Sequence, residues 1–210
     1  MDLVIAIDGP AASGKGTLAR RLGAAFHLPV LDTGLLYRAV AARVVQHGGD
    51  PDDDAAATQA ARSLDPDILA EMDLFGPLAG ELASRVAVHA GVRAALARLQ
   101  RDFGQRPGGA VIDGRDIGTV IFPDAPAKIY VFASPQVRAE RRWRQLAARD
   151  PSARLDVVLA DILARDERDG SRTESPMRPA SDAVLLDTTD LDIEQAFDAA
   201  RRIVEAARDQ

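Results

Sequence analysis

Apolar residues recur along this chain in two ways, as short continuous runs and as longer stretches with helical spacing. The short runs are typical of buried parallel strands, and they cover Leu3–Asp8, Pro29–Leu31, Ala110–Asp113, Lys128–Phe132 and Val184–Asp187. The longer stretches predict helices at Lys15–Phe26, Thr33–His47, Pro77–Phe103 with an interruption near Gly91, Pro135–Arg149, Leu155–Arg168 and Asp192–Ala207. Strands that alternate with helices predict an α/β fold, in which a parallel five-stranded sheet carries helices on both faces.

The bulk composition excludes several classes of protein. The 210 residues carry a net charge of −6, which disfavours sequence-independent binding to nucleic acid because such binding needs an excess of cations. No cysteine is present, so disulfides and thiolate metal sites are excluded. The first apolar run follows no basic segment and is too short for a signal peptide or a membrane span. We expect a cytoplasmic protein with no nucleic-acid or membrane partner, and we expect it to be a monomer.

A glycine-rich turn follows the first predicted strand. Its sequence, Gly-Pro-Ala-Ala-Ser-Gly-Lys, fits the phosphate-binding pattern G-x-x-x-x-G-K between a strand and a helix. Glycines let successive N–H groups point inward, and the start of the helix adds positive potential. Such turns also occur by chance, but this one has the context that the pattern requires. The residues expected to bind the triphosphate of ATP here are Gly9, Pro10, Ala11, Ala12, Ser13, Gly14, Lys15, Gly16 and Thr17.

Oxygen-bearing side chains near this turn are candidates for binding Mg²⁺. Gly16 stands where the pattern usually has Ser or Thr, and Thr17 comes one place later. We therefore expect Thr17 to hold the metal. Asp32 and Asp113 end predicted strands at the same rim of the sheet, and either could bind Mg²⁺ through water.

Three further blocks resemble segments of the bacterial cytidylate kinases. They are Leu-Asp-Thr-Gly-Leu-Leu-Tyr-Arg at 31–38, Ile-Asp-Gly-Arg-Asp-Ile-Gly-Thr-Val at 112–120, and Arg-Asp-Glu-Arg-Asp-Gly-Ser-Arg at 165–172. With the glycine-rich turn, the resemblance spans essentially the whole chain. It implies a three-layer P-loop kinase fold that transfers phosphate from ATP to CMP or dCMP, with Mg²⁺ as the cofactor. It also implies one domain over residues 1–210, in which 48–105 form the monophosphate-binding region and 145–178 a lid.

The resemblance also implies roles for individual residues. The phosphate of CMP would meet Thr33, Arg38, Arg115 and Arg172, and the cytosine ring would meet Ser84, Arg93 and Asp116. Arg165 and Asp169 would touch the sugar and phosphate, and Arg168 would face the phosphates of ATP. The expected catalytic residues are Lys15, Arg115, Arg165 and Arg172.

These residue types suit that chemistry on independent grounds. Phosphoryl transfer between two anions needs positive charge on both sides and little covalent help. A guanidinium is planar and always charged, and it binds phosphate through two N–H groups. A base with an exocyclic amine beside acceptors needs a carboxylate and a donor, which Asp116 and Arg93 offer.

One segment departs from the family pattern. The family usually carries an inserted β-rich subdomain ahead of the position of Ser84. Here Leu64–Gly80 is too short and too poor in alternating β-branched residues to build it. The monophosphate-binding region is therefore expected to be reduced to a loop or helical hairpin.

Simpler interpretations remain for several residues. Thr33 could serve only as an N-cap, Arg38 could be a solvated charge, and Arg115 could form a structural ion pair with Asp116. In isolation, Ser84 and Arg93 are typical of surface positions. Arg141, Arg142 and Arg144 are typical of a solvated helix face, although one of them could reach ATP, and Tyr37 and Trp143 are typical of packing residues.

Two other functions remain open at this point. One is another small-molecule kinase on the same fold, of the UMP/CMP, adenylate or shikimate type. The other is a non-catalytic nucleotide switch, which the arginine-rich segment disfavours because a switch needs only one anion site.

Overall fold

The computed structural model describes residues 2–65, 72, 74, 76 and 78–208 of the chain. The strands are β1 (Leu3–Asp8), β2 (Val30–Asp32), β3 (Gly109–Asp113), β4 (Ala127–Phe132) and β5 (Val184–Asp187). The helices are α1 (Lys15–Phe26), α2 (Thr33–Gln46), α3 (Asp54–Arg62), α4 (Ala79–Val86), α5 (Ala90–Gly104), α6 (Pro135–Ala147), α7 (Leu155–Gly170) and α8 (Ile193–Arg208). A π-helical turn (Ile117–Ile121) precedes β4.

The predicted strands are confirmed, and most of the predicted helices are confirmed with small shifts of their ends. The stretch expected over Pro77–Phe103, with an interruption near Gly91, contains the two helices α4 and α5, and the break between them lies at Ala87–His89. Helix α3 lies in the Asp-rich segment, where Asp53 caps it by accepting hydrogen bonds from the amides of Ala55 and Ala56. Part of the predicted shortened insert, residues 66–71, 73, 75 and 77, lies outside the described residues.

All five strands are parallel, as the sequence predicts. Their order in the sheet is β2-β3-β1-β4-β5. In the register, Ile7 pairs with Asp113, and Asp8 pairs with Tyr130. The carboxyl ends of β1, β3 and β4 therefore meet at one rim of the sheet. In parallel sheets this rim is where ligands bind.

One face of the sheet packs in an extended apolar core. Odd-numbered strand residues such as Ile5, Val111 and Ile129 pack with Leu22 of α1 and Ala200 of α8. These side chains are almost fully buried, which makes the burial of apolar surface the main force holding α1 and α8 in place.

The alternate strand residues face the π-helical turn. Asp8 accepts hydrogen bonds from two amides of the turn, and a Cβ built on Gly118 would lie 3.2 Å from Cδ of Lys128. The turn therefore packs directly on the sheet, and a side chain at Gly118 would crowd Lys128.

The chain divides into two compact units. The first comprises Met1–Leu31 and Gly104–Gln210, and the second comprises Asp32–Phe103. In the second unit, α2 packs on α3 and α4, and its core includes Leu36, Val40 and Val86. The expectation of a single domain with a 48–105 region and a 145–178 lid stays a prediction.

Candidate functional site

The glycine-rich turn between β1 and α1 has a backbone that most side chains would disturb. Gly9 has a φ of 139°, and a Cβ there would overlap the carbonyl oxygen of Val131. Ala12 and Gly14 also have positive φ values, of 59° and 98°. Residues in this region of φ favour glycine. The glycine at position 9 is thus required both by conformation and by the closeness of β4.

Three carbonyl groups of this turn are held by side chains. Lys15 Nζ donates to the Pro10 carbonyl at 3.1 Å, Arg138 Nη1 to the Ala11 carbonyl at 3.3 Å, and Thr188 Oγ1 to the Ser13 carbonyl at 2.9 Å. Each bond fixes the orientation of one peptide plane, and backbone amides aligned in such a turn form a concave anion site. The turn therefore has the backbone arrangement that phosphate binding needs.

The first turn of α1 adds positive potential to the same place. Helix α1 begins after Gly14, and no side-chain hydrogen bond from a described residue caps it. Lys15 is buried, and its Nζ lies 3.6 Å from Asp113 Oδ1 at the end of β3. A Cβ on Gly16 would lie 3.3 Å from Asp113 Oδ2, so this carboxylate sits against the residue before Thr17.

Asp8, the last residue of β1, holds the π-helical turn. Its two carboxylate oxygens accept hydrogen bonds from the amides of Ile117 and Gly118 at 2.8 and 2.7 Å. Burial raises the pKa of Asp8 to about 6, although these hydrogen bonds oppose the rise. Asp116, 5% exposed, immediately precedes this turn. The carboxylate of Asp8 thus fixes the segment that carries Arg115 and Asp116.

A second group of charges surrounds Asp169 on α7. This carboxylate is 1% exposed and lies 3.1 Å from Arg115 Nε and 3.8 Å from Arg165 Nε, and it also bonds Arg172. Four of the predicted site residues, from two separate blocks of sequence, therefore meet in the first unit. Arg168, one turn before Arg172, is half-buried, and its side chain makes no hydrogen bond or ion pair with a described residue.

The second unit contains the other predicted substrate residues. Thr33, Ser84 and Arg93 are buried, so the interpretation of Ser84 and Arg93 as surface residues is wrong. Arg93 donates to the Ala87 carbonyl at 3.4 Å, and its guanidinium lies 5.9 Å from the centre of the Tyr37 ring. A buried charge is costly unless it is paired or hydrogen-bonded, and these contacts of Arg93 offset part of that cost.

The start of α2 corrects a further interpretation. The N-cap is Asp32, whose Oδ1 accepts from the Gly34 amide at 2.9 Å, and not Thr33. Arg38, on the same helix, is half-buried and donates to the Leu74 carbonyl at 3.1 Å, so it is not simply a solvated charge.

The face of α6 also differs from the expectation. Arg141 was expected to be solvated, but it donates to Thr188 Oγ1 at 3.0 Å and to the Thr188 carbonyl at 2.6 Å. Desolvation and the nearby Arg144 lower its pKa. Arg144 is exposed as expected, and Trp143 is a packing residue as expected, with its Nε1 bonded to the Ala153 carbonyl at 2.9 Å.

Sequence reasoning missed four residues of the site: Asp8, Arg138, Asp166 and Thr188. Asp8 and Asp166 had signals, since Asp8 joins an apolar strand to the glycine-rich turn and Asp166 lies inside a family-like block. Arg138 and Thr188 had none, because nothing in the sequence separates them from neighbouring arginines and threonines.

Two properties of the described residues bear on other classes of site. No described helix has both the length and the apolarity that crossing a bilayer requires. In the same part of the chain, no group of three or more His, Cys, Asp or Glu side chains forms a metal-binding cluster.

Solved structures share the fold at low sequence identity. An uncharacterized protein from Eubacterium ventriosum ATCC 27560 matches with a TM-score of 0.55 at 14% identity, over 100% of both chains. TT1252 from Thermus thermophilus matches with a TM-score of 0.51 at 19% identity, over 98% of this chain and 97% of that one. At such identities the likeness shows the fold alone.

Sequence relatives are much closer. A family model described as cytidylate kinase matches residues 5–206. The cytidylate kinase of Caulobacter sp. (strain K31) is 64% identical over 99% of this chain and 96% of its own length. That of Azorhizobium caulinodans is 59% identical over 98% of this chain and 100% of its own. This chain belongs to the cytidylate kinase family.

Proposed function

We propose that this protein transfers the γ-phosphoryl group of ATP to CMP or dCMP, forming ADP and CDP or dCDP. The observation that carries the proposal is the family match along residues 5–206, which includes both the glycine-rich turn and the arginines around Asp169. The geometry of the first unit supports it, because backbone amides and guanidinium groups are two of the means by which proteins bind phosphate.

The donor phosphates bind in the turn from Gly9 to Thr17. Lys15 exchanges the Pro10 carbonyl for phosphate oxygens and stabilises the charge on the moving group. Arg168, whose side chain makes no hydrogen bond or ion pair with a described residue, faces the phosphates of ATP. No strong protein base is needed, because the acceptor phosphate is already an anionic nucleophile.

In this proposal the acceptor is bound by the residues that the family resemblance assigns to it. The residues that take its phosphate and sugar are Thr33, Arg38, Arg115, Arg165, Asp169 and Arg172. Ser84, Arg93 and Asp116 take the cytosine ring, with Asp116 accepting from the exocyclic amine and Arg93 donating to the ring acceptors. Closure of the lid over residues 145–178 would exclude water from the reaction.

Magnesium is the proposed cofactor, and the residues present fit it. The hydroxyl of Thr17 and the carboxylate of Asp32 are hard oxygen donors, and Asp113 lies beside the residue preceding Thr17. Mg²⁺ in kinases keeps several waters and needs only one or two protein groups besides the phosphates. When bound with ATP, the ion would neutralise the charge of the phosphates. We propose Thr17 and Asp32 as the residues that hold it, Asp32 through water.

An acceptor panel tests the proposal directly. ADP formation is measured with ATP, Mg²⁺ and either CMP, dCMP, UMP, AMP or shikimate. CMP and dCMP are expected to give the highest kcat/KM, and a higher value with any other acceptor would overturn the choice of substrate. ATP consumption that is independent of every acceptor would favour a nucleotide switch, which the family match disfavours. That the protein is a cytoplasmic monomer stays a prediction. Sedimentation would test the oligomeric state.

A further inference from the structure

Arg138 joins four parts of the first unit through one guanidinium group. The side chain projects from α6 and is 4% exposed. Its Nε donates to the Ala133 carbonyl after β4 at 2.9 Å, and its Nη1 donates to the Ala11 carbonyl in the phosphate-binding turn at 3.3 Å. Nη1 and Nη2 also donate to the two carboxylate oxygens of Asp166 on α7, at 3.1 and 2.5 Å.

The contact with Ala11 bears on the shape of the anion site. The Ala11 carbonyl is fixed by this bond, so the peptide plane between Ala11 and Ala12 has a defined orientation. Ala12 has a φ of 59°, a conformation that a non-glycine residue adopts only where its surroundings hold it. Ala12 also packs against the apolar cluster of Ala139, Val158 and Ile162, which joins α6 to α7. The turn is thus held from α6 and α7 by one polar and one apolar contact.

The contact with Asp166 bears on the arginines of α7. Asp166 follows Arg165 directly and lies three residues before Asp169, the carboxylate that bonds Arg115 and Arg172. Because a helix moves as a rigid element, the fork between Arg138 and Asp166 fixes this part of α7 relative to the turn that holds ATP.

We propose that Arg138 is a positioning residue, which aligns the ATP-binding turn with the arginines of α7 through Ala11 and Asp166. This inference rests on the proposed function, since it concerns the same phosphoryl transfer. Arg138 itself touches neither substrate in this assignment.

A purely structural role for Arg138 would be to neutralise Asp166. The geometry disfavours that role, because the carboxylate of Asp166 is 24% exposed and can be hydrated without a partner. Two of the four bonds of Arg138 also go to backbone carbonyls, which carry no charge to neutralise. A lysine could match the charge of Arg138 but not its planar fork.

The test compares Arg138→Lys, Arg138→Met and the double variant Arg138→Met/Asp166→Asn with the unmodified protein. Removing both partners leaves no unpaired buried charge, so the double variant should recover most of the thermal stability that Arg138→Met loses. Arg144→Met is the matched control, because Arg144 lies on the same helix and its pair with Glu140 is exposed.

Two quantities are measured on each folded variant, kcat with CMP and the dissociation constant of ADP. We expect kcat to fall about 10- to 100-fold in all three Arg138 variants, the double variant included, since a small misplacement of reacting groups has effects of this size. We expect ADP to bind about tenfold more weakly because its site is less preorganised. The control should stay within about twofold of the unmodified protein.

The outcomes separate this inference from the proposed function. A stable double variant with the kcat and ADP affinity of the control would overturn the positioning role and leave CMP kinase activity standing. If the unmodified protein phosphorylates no CMP, the proposed function fails, and the ADP affinities alone decide the inference. Unchanged affinity in the double variant would then overturn it, and weaker affinity would support it.

Discussion

Arg115 Nε lies 3.1 Å from Asp169 Oδ2, and this contact joins the segment after β3 to the far end of α7. Asp169 is a buried carboxylate that also bonds Arg172, so two of the proposed phosphate-binding arginines are held by one anion. A carboxylate that bonds several guanidinium groups holds these side chains in position before the substrate binds. Because the side chains are already ordered, the entropic cost of binding a phosphate is lower.

Replacing Arg115 with Ala should lower kcat with CMP about 100- to 1,000-fold, because a preorganised positive charge is lost from the transition state. The fold should survive, since Asp169 keeps Arg165 and Arg172 as partners. Turnover and thermal unfolding measure the two effects. Arg154→Ala, an exposed arginine paired with Asp156, is the control. Near-normal turnover of Arg115→Ala would show that Arg115 has no role in transfer.

Replacing Asp116 with Ala should mainly change which base is accepted. A buried carboxylate that accepts from the exocyclic amine of cytosine favours CMP over UMP, so its loss should reduce the ratio of the two kcat/KM values at least about tenfold. Asp124→Ala, in the exposed connection that follows the π-helical turn, is the control. If the preference for CMP over UMP is the same in both variants, Asp116 does not recognise the base.

The pKa of Asp8 makes stability depend on pH in a defined direction. Its folded value of about 6 is above the ordinary value of 3.8, so the folded protein binds this proton more strongly. The resulting stabilisation is fully present below about pH 4 and is lost as the pH rises through about 6, a change of up to about 3 kcal/mol.

Asp8→Asn isolates this effect, because Asn does not titrate. Its free energy of unfolding relative to the unmodified protein should rise between about pH 4 and about pH 7. Asn accepts only one of the two amide hydrogen bonds, which adds an offset that is the same at every pH. Denaturant unfolding at several pH values measures the difference. A difference that does not vary with pH would contradict the raised pKa.

Two glycines of the turn between β1 and α1 should respond differently to substitution by alanine. Both have positive φ values, so alanine strains the backbone at either position. At Gly9 the methyl group would also overlap the Val131 carbonyl, whereas at Gly14 it would meet open space. Gly9→Ala should therefore destabilise the fold by about 1–3 kcal/mol more than Gly14→Ala. Equal midpoints of unfolding for the two variants would contradict this prediction. They would show that β4 can move away from the added methyl group at position 9.

Local patterns predicted the strands and the turn after β1, because continuous apolar runs and a glycine motif are readable without tertiary contacts. The π-helical turn was not predictable in this way. Its residues, Ile-Gly-Thr-Val-Ile, are typical of a strand, and the turn is held by Asp8, over a hundred residues earlier in the chain. The strand propensity of a segment is a weak guide to its conformation where a distant side chain supplies the hydrogen bonds.

The same limit applies to the site. Lys15 and the arginines of the family-like blocks were predictable as candidates, since their motifs mark them. Helix α6 has four arginines with similar neighbours in sequence, yet Arg138 is buried against Asp166 and Arg144 is exposed. The packing of α6 on α7 decides which of these arginines is buried. The periodicity of the sequence does not predict it.

Thr188 bonds the Ser13 carbonyl from a position 175 residues further along the chain. During synthesis, a ribosome-bound chain that stops short of Thr188 has the whole glycine motif but lacks the hydroxyl that fixes this part of it. A nascent chain therefore completes the proposed ATP site only when β5 and the residue after it have emerged. Affinity for nucleotide would then report that synthesis has passed residue 188.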